Sequence, residues 1–328
     1  MKIELIILGS AAATPSKERN LSSIAMRYKN KIFLFDCGED FQRKFAEAGL
    51  KFNKPLFIFI SHFHGDHILG LPGFLFRLSL NERKAPLTIF GPQNLFIYVY
   101  LHKKILGLKA NYPIKIIEID HYNKKLIEFE GLDIEEPKYT SDINENIIHD
   151  TKYFSIKYTL VDHSVITYAY AFIEKPRHGK FNPEKARELG IPESYIWKKL
   201  QEGETINLNG KIIDPVKEGI VGPQRPGRKI TYSGDLKPTK SLIDLGKNSD
   251  ILIHEATFSK SLAEIADEKK HSTTVDAAID AKKMNAKQLI LTHISSRYQE
   301  NAQKLLEEAQ EIFPNSILAE DLLKIELK

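Results

Sequence analysis

Leu56-Phe57-Ile58-Phe59-Ile60-Ser61-His62-Phe63-His64-Gly65-Asp66-His67 joins an apolar run of strand length to a dense set of ligand side chains. Three imidazoles and one carboxylate fall within the six residues His62 to His67. Imidazole nitrogen and carboxylate oxygen are the donors that a borderline divalent ion such as Zn²⁺ takes, at about 2.0–2.2 Å. So many donors in so short a stretch can serve two ions. A buried strand ending in a rigid turn would hold them at fixed angles, and dense His-His-Asp-His packing there has no structural use that simpler residues would not serve.

One such stretch cannot complete a two-ion site, so other segments must contribute. Asp162-His163 follows the alternating run Phe154 to Leu160 and Val161. Ser233-Gly234-Asp235 follows Lys229-Ile230-Thr231-Tyr232, and Leu289-Ile290-Leu291-Thr292 ends in His293. Each places a ligand type at the end of a short strand. A lone His after a strand is most often a hydrogen-bonded structural residue, but four such strand ends in one chain point to a shared centre.

With these residues in place the chain resembles the metallo-β-lactamase superfamily, whose hallmark is His-x-His-x-Asp-His with distant His, Asp and His. Within it the chain is similar to the ribonuclease Z family over nearly its whole length. Pro15-Ser16-Lys17-Glu18-Arg19-Asn20 fits a Pro-x-Lys-x-Arg-Asn loop, and Asp36-Cys37-Gly38-Glu39 fits a second turn. His254-Glu255-Ala256-Thr257, His271-Ser272-Thr273 and the segment Thr292 to Tyr298 fit three more. The resemblance implies two Zn²⁺ per subunit. His62, His64 and His163 would hold the first, Asp66, His67 and His293 the second, and Asp235 would bridge them. It implies hydrolysis of precursor transfer RNA at its 3′ trailer.

Paired ions of this kind lower the pKa of water toward neutrality and stabilise charge on phosphoryl oxygens. Asp66 is then placed to orient the attacking water or accept its proton. The leaving 3′ oxygen needs a proton, and a positioned His contributes about 10²–10⁴-fold in that role. His271 is the candidate acid, with Glu255 favouring its charged form. His271 also reads as a residue at a helix start, where Ser272 or Thr273 caps the helix; both readings are compatible. With water as nucleophile, the products would be a 3′-hydroxyl on the transfer RNA and a 5′-phosphate on the trailer.

The chain has 328 residues, 42% hydrophobic and 27% charged, with a net charge of +4. That is ordinary for a soluble globular protein with room for a large core. The positive balance is compatible with a polyanion partner but weak evidence for one. The single Cys37 cannot pair internally and suggests a reducing compartment, hence the cytoplasm; it reads as a small core residue. No stretch approaches the ~20 apolar residues of a membrane span. The start, Met1 to Gly9, has Glu4 inside its apolar run and reads as a first strand, which argues against a secreted lactamase.

Strands alternate with helices in two halves, the pattern of an α/β protein with two packed sheets flanked by helices, αββα. We expect one such domain over 1–328, interrupted by an inserted arm at 174–228. The segment Asp133 to Asp150 is polar and reads as a surface excursion. In the arm, Asn182 is expected to cap a helix opened by Pro183, and a second helix to run from Glu193 to Gln201. That second helix would place Tyr195, Ile196 and Leu200 on one side and leave Lys198 and Lys199 exposed. The composition alone fits a Pro/Gly-rich connector equally well. The resemblance implies a flexible arm that clamps the transfer RNA elbow, with phosphate contacts from residues such as Arg177, Lys198 and Lys199. The family often has Gly-Pro where this chain has Glu193-Ser194.

Lys17, Arg19 and Asn20 would lie near the scissile end, where Lys17 and Arg19 either sense the trailer or are ordinary surface charges. Ser295 and Arg297 would contact phosphate, or Arg297 would be a structural ion-pair partner. The stripe Leu95 to Leu106 reads as a helix face, and the resemblance makes it part of a homodimer interface. Two other readings compete: a small-molecule phosphodiesterase or thioester hydrolase on this fold, and a noncatalytic RNA-binding module. The arm and the Lys17 loop weigh against the first, and the complete ligand set with His271 and Glu255 weighs against the second.

Overall fold

The computed structural model describes residues 2–133 and 136–327. Leu56–Phe59 is a strand whose alternate residues face opposite ways. Leu56 and Ile58 enter a core with Ile32, Leu34, Phe41, Phe45, Leu71 and Phe74. Phe57 and Phe59 point to the other face, where Phe59 stacks between Phe35 and Phe90, its cross-strand neighbours, at 5.4 and 5.1 Å. Both faces are therefore covered, which is why the strand reads as continuously apolar.

Among the described residues this strand is central in a nine-stranded sheet. Lys31–Phe35, Leu56–Phe59, Leu87–Pro92 and Ile114–Asp120 run parallel there. A seven-stranded sheet lies opposite, with Lys229–Tyr232, Ile251–Glu255, Gln288–Thr292 and Ser316–Leu318 in parallel. Aromatic side chains join the two sheets: Phe33 meets Phe172 at 5.3 Å, and Phe59 meets Tyr170 at 5.4 Å. Buried hydroxyls cross the same space, Tyr170 donating to the Ile60 carbonyl at 2.7 Å and Tyr168 to that of Ile119 at 2.9 Å. Helices Phe41–Glu47, Gly70–Leu80 and Leu95–Leu106 cover the outer face of the first sheet. Helices Lys240–Gly246, Thr274–Lys283 and Ala302–Gln310 cover the second. The layering is the expected αββα. Parallel strands end at one edge, so the segments after Phe59, Tyr232 and Thr292 open where ligands collect in α/β sheets.

The polar segment Asp133 to Asp150 contains two strands that composition did not signal, and its residues 134 and 135 lie outside the described set. Tyr139–Asp142 extends the edge of the first sheet, and Ile147–Asp150 extends the second. Tyr139–Asp142 is exposed along its length. An edge strand with no core side has no apolar alternation to show.

The chain divides into two compact units, one comprising Asp150–Ser155 and Ile173–Arg228 and the other the remainder. In the smaller unit Asn182 accepts from the Lys185 amide at 3.1 Å and caps helix Pro183–Glu188. Its second helix starts later than expected, at Tyr195, with Ser194 as cap. Trp197 replaces Tyr195 on the inner side: Trp197 and Leu200 pack with Ala186, Ile191, Ile213 and Ile220, while Tyr195 is exposed. An aromatic at either position satisfies the helical spacing, so periodicity did not separate them. Asn209-Gly210, both with positive φ, turn the hairpin of Ile206–Leu208 and Lys211–Ile213. Where this unit begins and ends, Glu174 takes a bidentate pair from Arg228, Nε to Oε2 at 2.7 Å and Nη2 to Oε1 at 2.9 Å, nearly excluded from solvent.

Candidate active site and metal centre

Four imidazoles are each fixed through Nδ1, which leaves Nε2 free to face a common centre. His67 Nδ1–H donates to Asp36 at 2.7 Å. His163 Nδ1–H donates to the Lys270 carbonyl at 2.8 Å. Ser61 Oγ spends its proton on Asp36 at 2.7 Å, so it accepts from His62 Nδ1–H at 2.9 Å. Thr257 Oγ1 likewise donates to Glu255 at 2.6 Å and accepts from His293 Nδ1–H at 2.8 Å. His64 is turned the other way, with Nδ1 inward at 3.2 Å from His163 Nε2. This is the tautomer arrangement that metal-ligating histidines adopt.

Among the described residues the inward atoms form two donor groups without a shared residue, and Asp235, His271 and His293 make a third that overlaps both. His62, His64, His163 and Asp235 make one, and Asp66, His67 and His293 the other, with the ligand atoms within 4.8 Å of one another in each. Asp235 Oδ2 lies 3.7 Å from His62 Nε2 and 3.2 Å from both His67 Nε2 and His293 Nε2, so it touches both groups. Asp66 Oδ2 is 3.2 Å from His293 Nε2. Donors on a tetrahedral ion at about 2.0 Å sit about 3.3 Å apart, which these spacings match.

The chemistry of the donors fits a cation. The Nε2 atoms of His67 and His293 are 3.2 Å apart; burial works against a charge on His67, but Asp235 and Asp36 outweigh it and push its pKa well up, so the surroundings favour positive charge at this point. His62 Nε2 is buried without a hydrogen-bond partner, a costly state unless something positive sits against it. Burial lowers the pKa of His62, His64 and His163, which keeps those imidazoles neutral and able to ligate. Asp235 is held well below the usual carboxylate range: burial opposes its charge, but His293 and His67 outweigh it.

Local backbone turns these side chains inward. Asp36 and His293 both have positive φ, 60° and 57°, a strained state for residues other than Gly. Each follows a strand and bends the chain into the site. Ala11–Ala12 pairs with Ile294–Ser295 behind His293, and the Ala13 amide donates to Asp66 Oδ2 at 2.7 Å.

Asp36 is a role that sequence reading missed, although its turn was quoted for the resemblance. Fully buried, it accepts from the Ser61 amide, Ser61 Oγ, His67 Nδ1–H and Tyr232 Oη at 2.6–2.7 Å. Its signal was present, since an acid directly after the apolar strand Lys31–Phe35 is costly to bury without several donors. Replacing it with Asn or Ala is expected to weaken metal binding about 10–100-fold, as for other supports of metal-binding imidazoles. Competition titration against a chromophoric chelator measures this.

Beside the donors, His271 Nδ1 lies 2.8 Å from Glu255 Oε1, and its ring stacks on His293 at 5.5 Å. Burial works against the charge on His271, but buried Glu255 prevails and raises its pKa to about 9. The helix start is equally real: Thr273, the cap, and Asp276 form a capping box.

A family model described as Anti-Pycsar protein Apyc1 matches residues 3–125. Ribonuclease Z of Nitrosopumilus maritimus (strain SCM1) is 38% identical over 326 residues, 99% of this chain and 100% of that protein. The chain belongs to the ribonuclease Z family. The short form of human tRNase Z superposes with a TM-score of 0.66 at 24% identity, over 98% of each chain. The metallo-β-lactamase fold protein YhfI from Bacillus subtilis superposes with 0.65 at 17% identity, over 99% of each. These two likenesses establish the fold, a metallo-β-lactamase sandwich.

Of the residues that ribonuclease Z resemblance linked to RNA, the structure leaves some open and engages others. Lys17 is exposed in the turn closed by the Ser16 amide to the Arg19 carbonyl at 2.9 Å. Arg19 is not a free charge: Nη1 donates to Ser10 Oγ at 2.8 Å and to the Ala319 carbonyl, so it anchors the loop. Asn20 is tied through its amide to Asp321 at 2.8 Å, with its side-chain Nδ2 buried and unpartnered. Arg297 is exposed, donates to Ser295 at 3.1 Å and covers the Phe258 ring at 5.0 Å, with no acidic ion-pair partner among the described residues. Arg177 is half-buried, 3.5 Å from Glu174, whereas Lys198 and Lys199 are exposed.

Proposed function

We propose that this endoribonuclease removes the 3′ trailer of precursor transfer RNA by hydrolysis, leaving a 3′-hydroxyl and a 5′-phosphate. The observation that carries this reading is the pair of donor groups sharing Asp235, with the His271–Glu255 dyad against them. His62, His64 and His163 would hold one ion, and Asp66, His67 and His293 the other, with Asp235 held in common. Two divalent ions, zinc by the nitrogen-rich donor set, would supply activation of water and neutralisation of phosphoryl charge. Asp66, fixed by the Ala13 amide, would orient the water or accept its proton. A new oxygen–phosphorus bond forms, the bond to O3′ breaks, and protonated His271 delivers its proton to O3′.

The smaller unit would serve as the arm that engages transfer RNA, with Lys198 and Lys199 meeting phosphates; Lys17, Ser295 and Arg297 would do so near the cut. Helix Leu95–Leu106 exposes Ile97, Leu101 and Ile105 at 40%, 48% and 77%, a stripe on one side that suits a second copy of the chain. Among the described residues no helix is long and apolar enough to cross a membrane. Action on transfer RNA would place the protein in the cytoplasm.

End-group analysis of a cleaved precursor tests the reaction: a 3′-hydroxyl with a 5′-phosphate supports it, and a 2′,3′-cyclic phosphate excludes it. Arg177 and Arg225 exchange backbone hydrogen bonds at 2.8 Å, so a short linker can replace the residues between them. That deletion is expected to lower precursor cleavage by about a hundred-fold or more through lost positioning. Cleavage of a small chromogenic phosphodiester should be spared, and equal loss on both substrates would refute the arm's role.

A further inference from the structure

An open cavity of about 400 Å³ shares His163 with the donor groups. Tyr122, Leu160, Val165, Ile166 and Thr239 line it as well. Three apolar side chains on its rim are open to solvent beside the charged centre: Tyr122 is 71% exposed, Val165 40% and Ile166 41%; Asp162, paired with Lys270 at 2.9 Å, lines the cavity too. None of these is needed by the hydrolytic chemistry.

Hydrogen bonds tie down both sides of the rim. Tyr122 lies in the turn after strand Ile114–Asp120, where Asp120 accepts from the Asn123 amide at 3.0 Å and from its side chain at 2.8 Å. The His121 ring sets its edge against Tyr122 at 5.7 Å and against Tyr158 at 5.7 Å. Across the cavity the loop carrying Val165 and Ile166 is closed by Thr167 Oγ1 donating to the Val165 carbonyl at 3.0 Å. The Tyr168 amide pins that loop to the Ser61 carbonyl at 3.0 Å. A flat ring and two branched side chains, held apart and open to solvent, make a slot for a planar apolar group.

We propose that this slot takes the nucleobase adjoining the scissile phosphodiester, stacked on Tyr122 and packed against Val165 and Ile166. The inference rests on the proposed cleavage of RNA and adds a subsite to it. A base sits one ribose from its phosphate, and His163 belongs to both the cavity and the place where that phosphate must bind. Stacking needs no base-specific donor, so the slot holds any base and positions the bond to be cut. Tyr122 is thereby a positioning residue and not a catalytic one.

The test pairs a protein change with a substrate change. Metal-loaded wild type, Tyr122→Ala and Tyr122→Phe are assayed on an intact precursor and on two precursors made abasic, one on each side of the cut. Tyr122→Ala is expected to lower kcat/KM about ten- to hundred-fold on the intact substrate, while Tyr122→Phe, which retains a ring, stays close to wild type. On the abasic substrate that removes the slot's occupant, wild type and Tyr122→Ala should become equal, which also tells which side of the cut the base comes from. An undiminished Tyr122→Ala, or the same loss on the intact and both abasic substrates, overturns the subsite while leaving RNA cleavage intact. If wild type does not cleave the intact precursor at all, the reading of function fails first and the subsite with it.

Discussion

Asp235→Ala is expected to lower kcat on both precursor transfer RNA and a small phosphodiester, with metal content falling in parallel. Among the described residues Asp235 Oδ2 is the one carboxylate oxygen that lies against His62 on one side and His67 and His293 on the other. Without it, five imidazoles and Asp66 must hold two dications with one negative charge in place of two. Losing the electrostatic stabilisation that the ions supply, about 4 kcal/mol, corresponds to about 10³-fold in rate. Asp235→Asn keeps the shape and one acceptor oxygen but not the charge, so it separates charge from packing. Elemental analysis of dialysed protein alongside initial rates makes the measurement. An alanine variant with full metal and full activity would remove Asp235 from the account.

His271→Ala should behave differently, with metal content unchanged and a loss that depends on the leaving group. A ribose 3′ oxygen departs poorly without a proton, so precursor cleavage is expected to fall about 10²–10⁴-fold. A nitrophenolate departs unaided, so the loss on a nitrophenyl phosphodiester should be under about ten-fold. Equal losses on both substrates would deny His271 the role of acid. The pH profile carries the same logic. Burial lowers and Glu255 more than restores the His271 pKa, to about 9 against an ordinary 6.5. As the acid must be charged, activity falls as pH rises through its pKa, and Glu255→Gln should move that basic limb to lower pH. Stability follows the same sign: the contribution of the His271 charge is complete below its unfolded pKa while Glu255 stays ionised, and is lost as pH rises through the folded one.

What could be read from sequence was what lies in one strand and the turn after it. Leu56 to His67 announced a strand, its burial and its ligands together, because apolar run and donors are contiguous. His163, Asp235 and His293 repeated that arrangement, and the structure brings them to the same edge. The hub at Asp36 was not legible, because four donors from three residues on two separate segments meet there only after folding. The anchoring of Arg19 was hidden for the same reason, because Ser10 and Ala319, far apart in sequence, close on its guanidinium only after folding. Edge strand Tyr139–Asp142 left no apolar trace since it buries nothing. Tyr122 was silent for a related reason: a single aromatic in a turn means little until a cavity and a ligand-bearing strand are found beside it.

The most direct measurement of the central claim is anomalous diffraction at the zinc edge from crystals grown with Zn²⁺. The account predicts two peaks, one among His62, His64 and His163 and one among Asp66, His67 and His293, with Asp235 in contact with both. A single peak, or two peaks with Asp235 bound to neither or to just one, would contradict it.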